Sequence, residues 1–331
     1  MKKSIKRIIA VCIAVVLVGT VFAACSSNGE GKSEANGAYK IGIAQWEDHP
    51  ALNDATEGFK KALQDKLGED KVEFEYNTAQ GEVTNCSTIV NRYATNKVDL
   101  IMANATPVVQ AAVSATKEIP IVGTSVTEYG VALGIDNFTG KTGTNVTGTS
   151  DLAPLDQQAA MIKEIAPETK TVGIIYCSGE PNSKYQATEV TKYLSELGIT
   201  ATEYPFADSN ELQAIVSKAV SENDAIYVPT DNTAAKNTGI IDAVARPAKK
   251  PVFAGEEGIA KGCGIVTLTI SYYDIGYTAG EMAAEILSNG TNPAEMEIGY
   301  APKFTKKYNT EICKELGINV PNDYVAIDTA E

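Results

Sequence analysis

The sequence has 331 residues, of which 44% are hydrophobic and 7% aromatic, and its formal net charge is −14 at pH 7. After a short leader, that length is enough for about two domains, since one domain typically takes ~100–200 residues. A chain this acidic would be repelled by the phosphate backbone of DNA or RNA, so nucleic acid is excluded as an expected partner.

The first element, residues 1–24, is expected to be an export signal. A cationic start, an uncharged apolar run and two small residues follow one another directly before Cys25. The cations are Lys2, Lys3, Lys6 and Arg7. This order is typical of a secretory signal peptide. An uncleaved membrane anchor is the less favoured alternative, because the apolar run is short for the ~20 residues that span a bilayer.

Cys25 stands where the bacterial lipobox has its acylated cysteine, and the segment resembles that motif, although Phe22 occupies the position where Leu is usual. The resemblance implies that Cys25 carries lipid chains such as palmitate. It also implies anchoring on the extracytoplasmic face of the bacterial cell membrane. A plain secretory signal followed by a spare thiol is the alternative. Residues 25–38 are small and polar and predict a flexible tether, because they have too little apolar surface to bury.

From Tyr39 onward, short apolar runs alternate with amphipathic helical stretches. The runs that predict strands are 40–45, 72–76, 100–104, 121–125, 172–177, 200–204, 225–229, 252–255 and 265–269. Several are continuously apolar, as expected for strands covered on both faces of a parallel sheet. The helical stretches are 52–67, 83–93, 108–115, 155–165, 190–197, 212–220, 240–244 and 275–287. Strands that alternate with helices predict a doubly wound α/β fold.

The number of strands and the likeness of the two halves predict two doubly wound lobes joined by hinges. We expect a first lobe of residues 39–147 plus 270–290, and a second lobe of residues 148–269 plus 291–331. The Gly- and Thr-rich segment 139–151 is interpreted as the first crossing, and a second crossing is expected after residue 269. Ligands of such sheets bind beyond the carboxyl ends of the strands, so a cleft for a small molecule is predicted between the lobes.

Polar and aromatic residues follow nearly every predicted strand. The candidate ligand-binding residues are Trp46, Glu47, Gln80, Thr106, Pro107, Thr127, Asn182, Ser183, Asp231, Asn232 and Glu256. They include hydroxyls and amides that can bind a carboxylate, acids that can hold an ammonium group, and an indole that can stack on a planar ligand. Each type also has a structural alternative. Residues such as Thr106, Ser183 and Asp231 commonly cap helices, and Trp46 is also compatible with packing between the lobes.

Several of these segments resemble the solute-binding proteins of ABC transporters, in the subfamily that binds aromatic amino acids such as tryptophan or tyrosine. The matching segments are 49–52, 106–110, 119–122, 145–148, 180–183, 229–233 and 272–280. The resemblance implies a type I periplasmic-binding-protein-like fold, an amino-acid-like solute and the transmembrane subunits of an ABC permease as partners. Asp48 and the stretch 128–130 depart from the subfamily pattern close to the expected cleft.

Metal and cofactor binding are not expected. The cysteines beyond the leader, which are Cys86, Cys177, Cys263 and Cys313, have no CxxC or Cys/His spacing of the kind that metal sites use. Small buried thiols are the favoured interpretation, although an exported protein can form disulfides and sequence alone does not pair them.

Catalytic signatures are scarce, so the chain is not expected to be an enzyme. The sequence has no GxSxG, no HExxH and no GxGxxG after the first strand, and His49 is its only histidine. The leading hypothesis is a tethered receptor that delivers its solute to a permease. The alternatives are a ligand-binding subunit of a sensory system and an exported hydrolase.

Overall fold

The structure is a computed structural model that describes residues 37–327. The predicted signal peptide, Cys25 and all of the predicted tether except residues 37 and 38 lie outside the described residues. In the part that is described, no helix combines the length and the apolar character needed to cross a membrane.

Two sheets of mainly parallel strands organise the chain. The first has six strands in the order β11-β5-β4-β3-β1-β2, and the second has seven in the order β13-β12-β10-β9-β8-β6-β7. The strands are β1 (Tyr39–Gln45), β2 (Val72–Thr78), β3 (Leu100–Asn104), β4 (Ile121–Val126), β5 (Val146–Ser150), β6 (Thr171–Cys177), β7 (Thr200–Phe206), β8 (Ala225–Val228), β9 (Val252–Ala254), β10 (Val266–Thr269), β11 (Gly299–Tyr300), β12 (Thr305–Tyr308) and β13 (Val325–Ala326). Each sheet with the helices packed on it is one lobe, and the predicted two-lobed α/β architecture is confirmed.

Helices cover both sheets. They are α1 (Pro50–Leu67), α2 (Val83–Asn96), α3 (Thr106–Ala115), α4 (Tyr129–Leu133), α5 (Leu155–Ile165), α6 (Pro181–Glu196), α7 (Ser209–Glu222), α8 (Asn232–Lys236), α9 (Thr238–Ala245), α10 (Glu257–Gly262), α11 (Tyr272–Asn289) and α12 (Thr310–Leu316). The first four and α11 pack on the first sheet, and the others pack on the second.

The chain passes between the sheets at three points, after Ser150, after Thr269 and between Tyr300 and Thr305. Two of the predicted lobe limits differ from these crossings. The limit between residues 147 and 148 falls inside β5, which stays in the first sheet to its end. Residues 299 and 300, assigned by the sequence to the second lobe, pair with Thr149 and Ser150 of the first sheet as β11.

All nine predicted strands are present, whereas β5, β11, β12 and β13 were not predicted. Strand β5 has the sequence VTGTS, with one large apolar residue, yet all five residues are buried. Small residues allow this close approach, because a Cβ on Gly148 would lie 2.0 Å from the carbonyl oxygen of Gly123 on β4. The interpretation of 139–151 as a connection was therefore wrong for the strand that it contains.

Helices α1 and α11 pack backbone to backbone through three glycines. A Cβ on Gly276 would lie 2.0 Å from the carbonyl oxygen of Ala55, and one on Gly58 would lie 2.1 Å from that of Tyr273. A Cβ on Gly280 would meet the carbonyl oxygen of Phe59 at 2.5 Å. This contact fastens α11 to the first lobe directly after the second crossing.

The four cysteines of the described chain are buried free thiols, as the sequence interpretation favoured. Burial raises the pKa of Cys86 to about 12 and the pKa values of Cys177 and Cys313 to about 11. At neutral pH these groups are protonated and poorly reactive.

Candidate functional site

Three of the loops at the strand tips enter their helices through proline. Pro50, Pro107 and Pro181 occupy the first turn of α1, α3 and α6. Proline suits this position, because its backbone angle is already helical and the missing N–H would have no partner in the first turn. The residues just before and after these prolines are therefore held at the carboxyl ends of β1, β3 and β6.

Backbone strain also concentrates at the tips. Ala105 follows β3 with φ of 89°, Ser125 is the next-to-last residue of β4 with φ of 55°, and Gln80 follows β2 with φ of 55°. Residues other than glycine adopt such angles at a cost of ~1–3 kcal/mol each, and they cluster at ligand-binding and active sites. Three such residues therefore lie near the ends of β2, β3 and β4, where a ligand would bind.

The two sets of strand tips face each other and are in contact. His49 Nε2 of the first lobe lies 3.1 Å from Asn232 Oδ1 of the second, and Lys236 Nζ lies 2.7 Å from Glu47 Oε1. On the other side of this interface, Gln186 Nε2 approaches Thr127 Oγ1 at 3.5 Å. These contacts join the lobes in a closed arrangement.

Glu180, which is fully buried, organises the second lobe at this interface. Its carboxylate accepts hydrogen bonds from the backbone N–H groups of Asn232 and Thr233, at 3.1 and 2.9 Å. It also accepts bonds from the Asn232 amide and from the Thr233 hydroxyl. These four bonds compensate a charge that would otherwise be costly to bury, and they hold the start of α8 against α6.

A row of buried polar atoms at the tips of the first sheet has no hydrogen-bond partner within residues 37–327. These atoms are Trp46 Nε1, Thr106 Oγ1, Ser125 Oγ and Asp151 Oδ1, and Asn182 Oδ1 in the first turn of α6 is likewise without a partner. Three further unpartnered atoms belong to residues within strands, namely Asn104, Thr147 and Thr267. Buried polar groups normally have partners, so such a row indicates the position of a polar ligand.

The sheet order places these residues side by side. Asp151 follows β5, Ser125 is the next-to-last residue of β4, Thr106 follows β3 and Trp46 follows β1, and these four strands are consecutive neighbours in the sheet. Neighbouring strands lie ~4.8 Å apart, so the row spans roughly 14 Å. That length suits an aromatic amino acid lying across the strand tips.

Asp151 is the acid whose surroundings best suit a positively charged ligand. Its Oδ2 accepts a hydrogen bond of 3.0 Å from the Tyr272 hydroxyl, whereas Oδ1 is the unpartnered oxygen. Burial raises the pKa of Asp151 to about 6, although the bond from Tyr272 acts in the opposite direction. A cation at Oδ1 would lower that pKa again, because an opposite charge favours the ionised carboxylate.

Asp231 and Glu256 have other partners. Asp231 accepts bonds from the N–H groups of Ala234 at 2.8 Å and Cys177 at 2.6 Å, which caps α8 and ties it to β6. Glu256 caps α10 through Gly258 at 2.7 Å and through Ile259. Burial raises the pKa of Glu256 to about 7, and burial together with nearby Glu180 raises that of Asp231. Both contacts fit the capping alternative that the sequence left open.

A cavity of about 630 Å³ opens between the lobes beside Glu256, at the second and third crossings. It is lined by residues of α1, α10 and the crossings, among them His49, Asp54, Glu256, Lys261 and Tyr272. Trp46, Thr106, Ser125 and Asp151 do not line it. The closed lobes therefore enclose the row of unpartnered atoms and leave the cavity outside it.

The structure brings most of the predicted residues to the interface between the lobes. Buried there are Trp46, Glu47, Thr106, Pro107, Thr127, Asn182, Ser183, Asp231, Asn232 and Glu256, whereas Gln80 is exposed. The Ser183 hydroxyl donates to the carbonyl of Thr230 at 3.3 Å, so it already has a hydrogen-bond partner in the loop after β8.

Sequence reasoning missed Ser125 and Asp151 as site residues. Ser125 lies inside the predicted strand 121–125, and Asp151 ends the predicted crossing 139–151, in which the sequence shows no strand pattern for β5. Glu180 appeared only in the segments that carried the family resemblance. Its position just before Pro181, in the loop after β6, is the sequence feature that could have identified it as a site residue.

Comparison with known proteins matches this chain to one protein family. A family model described as ABC transporter substrate binding protein matches residues 40–330. A tyrosine-binding protein of Clostridioides difficile (strain R20291) is 35% identical over 291 residues, which is 85% of this chain and 84% of the relative. The family model covers all of the described structure except residues 37–39.

Two solved structures, one with a bound ligand and one without, are similar to this chain. An ABC domain from Streptococcus pneumoniae in complex with L-Trp is 31% identical, covers 86% of this chain and 96% of its own, and superposes with a TM-score of 0.82. A ligand-free, open substrate binding protein with adhesive properties from Clostridium difficile is 36% identical, covers 88% and 100%, and has a TM-score of 0.68. The better superposition on the less identical, ligand-bound protein agrees with the closed arrangement described above.

Proposed function

The chain belongs to the ABC transporter substrate-binding proteins, and we propose that it captures an aromatic amino acid between its lobes for delivery to a membrane permease. The observation that carries this proposal is the row of buried, unpartnered polar atoms that ends in the Asp151 carboxylate. The relatives support the ligand class, since one is a tyrosine-binding protein and another was solved with L-Trp.

We assign the ligand's ammonium group to Asp151. Its free oxygen is the one acceptor in the row that carries a full negative charge at neutral pH, and charge-assisted hydrogen bonds are the strong ones. The ligand carboxylate is assigned to the hydroxyls of Thr106 and Ser125. Thr106 begins α3, a ten-residue helix whose positive N-terminal end also favours an anion.

The aromatic ring of the ligand is assigned to the far end of the row, beside Trp46. Offset stacking of two rings adds ~0.5–1.5 kcal/mol beyond the burial of area. Asn182 faces the row from the second lobe with a free acceptor oxygen and contacts the ligand only when the lobes close. Asp231 and Glu256 support the site from its edges rather than bind the ammonium group, because backbone N–H groups occupy both oxygens of each. Glu47 is assigned to the contact between the lobes, where Lys236 bonds its Oε1.

For the location of the protein we retain the prediction from the sequence. The mature chain is tethered by lipid chains on Cys25 to the extracytoplasmic face of the cell membrane, where the permease receives the ligand. The family match supports import over the sensory alternative, because the family is one of transporter substrate-binding proteins.

Isothermal titration calorimetry with residues 26–331 at pH 8 tests the ligand class. L-Tyrosine and L-tryptophan should bind at a single site and stabilise the protein, by about 2.7 kcal/mol when the free ligand is at ~100 times its Kd. N-Acetyl-L-tyrosine, which has the same ring and carboxylate but no ammonium group, is the matched control and should bind far more weakly. Saturable binding of a sugar with no heat from any aromatic amino acid would contradict the proposal.

A further inference from the structure

His49 lies where a proton can affect closure of the lobes. It is the only histidine of the chain and is buried between β1 and α1. Its Nε2 lies 3.1 Å from Asn232 Oδ1 at the start of α8, in the opposite lobe. The contact exists only while the lobes are closed, because the two residues belong to different sheets.

Glu180 settles the direction of this hydrogen bond. The Asn232 amide nitrogen donates to Glu180 Oε2, so the amide must present its oxygen to His49. The imidazole Nε2 therefore carries a hydrogen and donates it. A neutral imidazole with its proton on Nε2 satisfies this contact completely, and no second proton is needed.

Burial opposes a second proton on the imidazole in the closed form. Burial lowers the pKa of His49, although Asn232 and the acids Glu180, Glu47 and Asp48 act in the opposite direction. Lys236 bonds Glu47 and offsets part of that negative charge. On the cavity side, Asp54, Glu256, Glu257 and Lys261 line the same space as His49. In an open form the ring would face water and titrate near its ordinary value of about 6.5.

We propose that His49 is a proton-linked clasp: the lobes close over a neutral imidazole, so capture of a ligand expels the proton that His49 holds in the open form. The proton leaves to the solvent and no covalent bond changes. The proposal rests on the proposed function only in requiring an aromatic amino acid that closes the lobes. Its consequence is that the protein binds its ligand less tightly as the pH falls through 6.5, since the closed form has the lower pKa.

Calorimetry with L-tyrosine at pH 6.5, in buffers of different ionisation enthalpy, counts the protons released on binding. The wild type should release more protons per ligand than His49→Gln, by up to about half a proton, because half of an open-state imidazole with a pKa of about 6.5 is protonated at that pH. Glutamine is the matched variant, since its amide can still donate to Asn232 but carries no titratable proton. Asp151 and Glu256 also titrate, but they are present in both proteins and cancel in the difference.

The pH profile of affinity gives a second measurement. Between pH 8 and pH 5.5 the wild-type Kd should rise by up to about tenfold more than that of His49→Gln. Equal proton release and parallel profiles in the two proteins would overturn the clasp while leaving the ligand proposal intact. Absence of binding at pH 8 would overturn the proposed function and the clasp with it.

Discussion

Replacing Asp151 with asparagine should raise the Kd for L-tyrosine or L-tryptophan by about 10- to 150-fold, from ~1.5–3 kcal/mol for a hydrogen bond to a charged group. The substitution keeps the size of the side chain and an oxygen for the Tyr272 hydroxyl, and it removes only the charge assigned to the ammonium group. Calorimetry at pH 8, well above the pKa of about 6 for Asp151, measures the loss with the wild-type carboxylate ionised.

The same variant separates a binding role from a structural one. Without ligand, Asp151→Asn should melt at or above the wild-type temperature, because a buried charge with one unpartnered oxygen is removed. Asp156→Asn is the control, an exposed acid in the first turn of α5 that should bind as the wild type does. Wild-type affinity in Asp151→Asn would remove Asp151 from the site.

The second large effect is expected on stability, at the contact between α1 and α11. Gly276→Ala would place a Cβ 2.0 Å from the Ala55 carbonyl oxygen and 2.7 Å from its Cα, so the helix backbones must separate. Overpacking typically costs ~1–3 kcal/mol, and more where backbone rather than a flexible side chain must move. We therefore expect a loss of about 3 kcal/mol in the free energy of unfolding, measured by urea denaturation.

Gly239→Ala is the matched control for this loss. Gly239 lies in α9, and a Cβ there meets nothing within 4 Å. The same substitution should leave stability unchanged or raise it by up to ~1 kcal/mol, because alanine is the better helix former. Equal effects of the two substitutions would contradict the account of the α1–α11 contact.

The fold could be predicted from the sequence where hydrophobic runs carry the signal. Runs such as 100–103 and 172–177 have no charged or amide side chain, so their burial in parallel sheets could be predicted from composition alone. Strand β5 was missed, because its burial comes from the pairing of Gly148 with Gly123 rather than from apolar side chains. Strands β11 and β13 have two residues each, and β12 contains two lysines, so none of them shows a strand pattern.

The site could be predicted as a region and less well as individual contacts. The loops after β1, β3, β6 and β8 were located because parallel strands end at a common edge. Which acid remains free could not be predicted, since that depends on tertiary partners. Asp231 and Glu256 bond to backbone N–H groups three or fewer residues along the chain, and Asp231 also reaches Cys177, whereas Asp151 Oδ1 has no partner in the described chain.

A crystal structure of residues 26–331 grown with L-tyrosine tests the central claim, which is that the strand tips of two lobes enclose one amino acid. The account predicts ligand density between the lobes, with the ammonium nitrogen within hydrogen-bond distance of Asp151 Oδ1 and the carboxylate at Thr106 and Ser125. Ligand density in the cavity lined by Asp54 and Lys261, with the row from Trp46 to Asp151 still closed and empty, would contradict it.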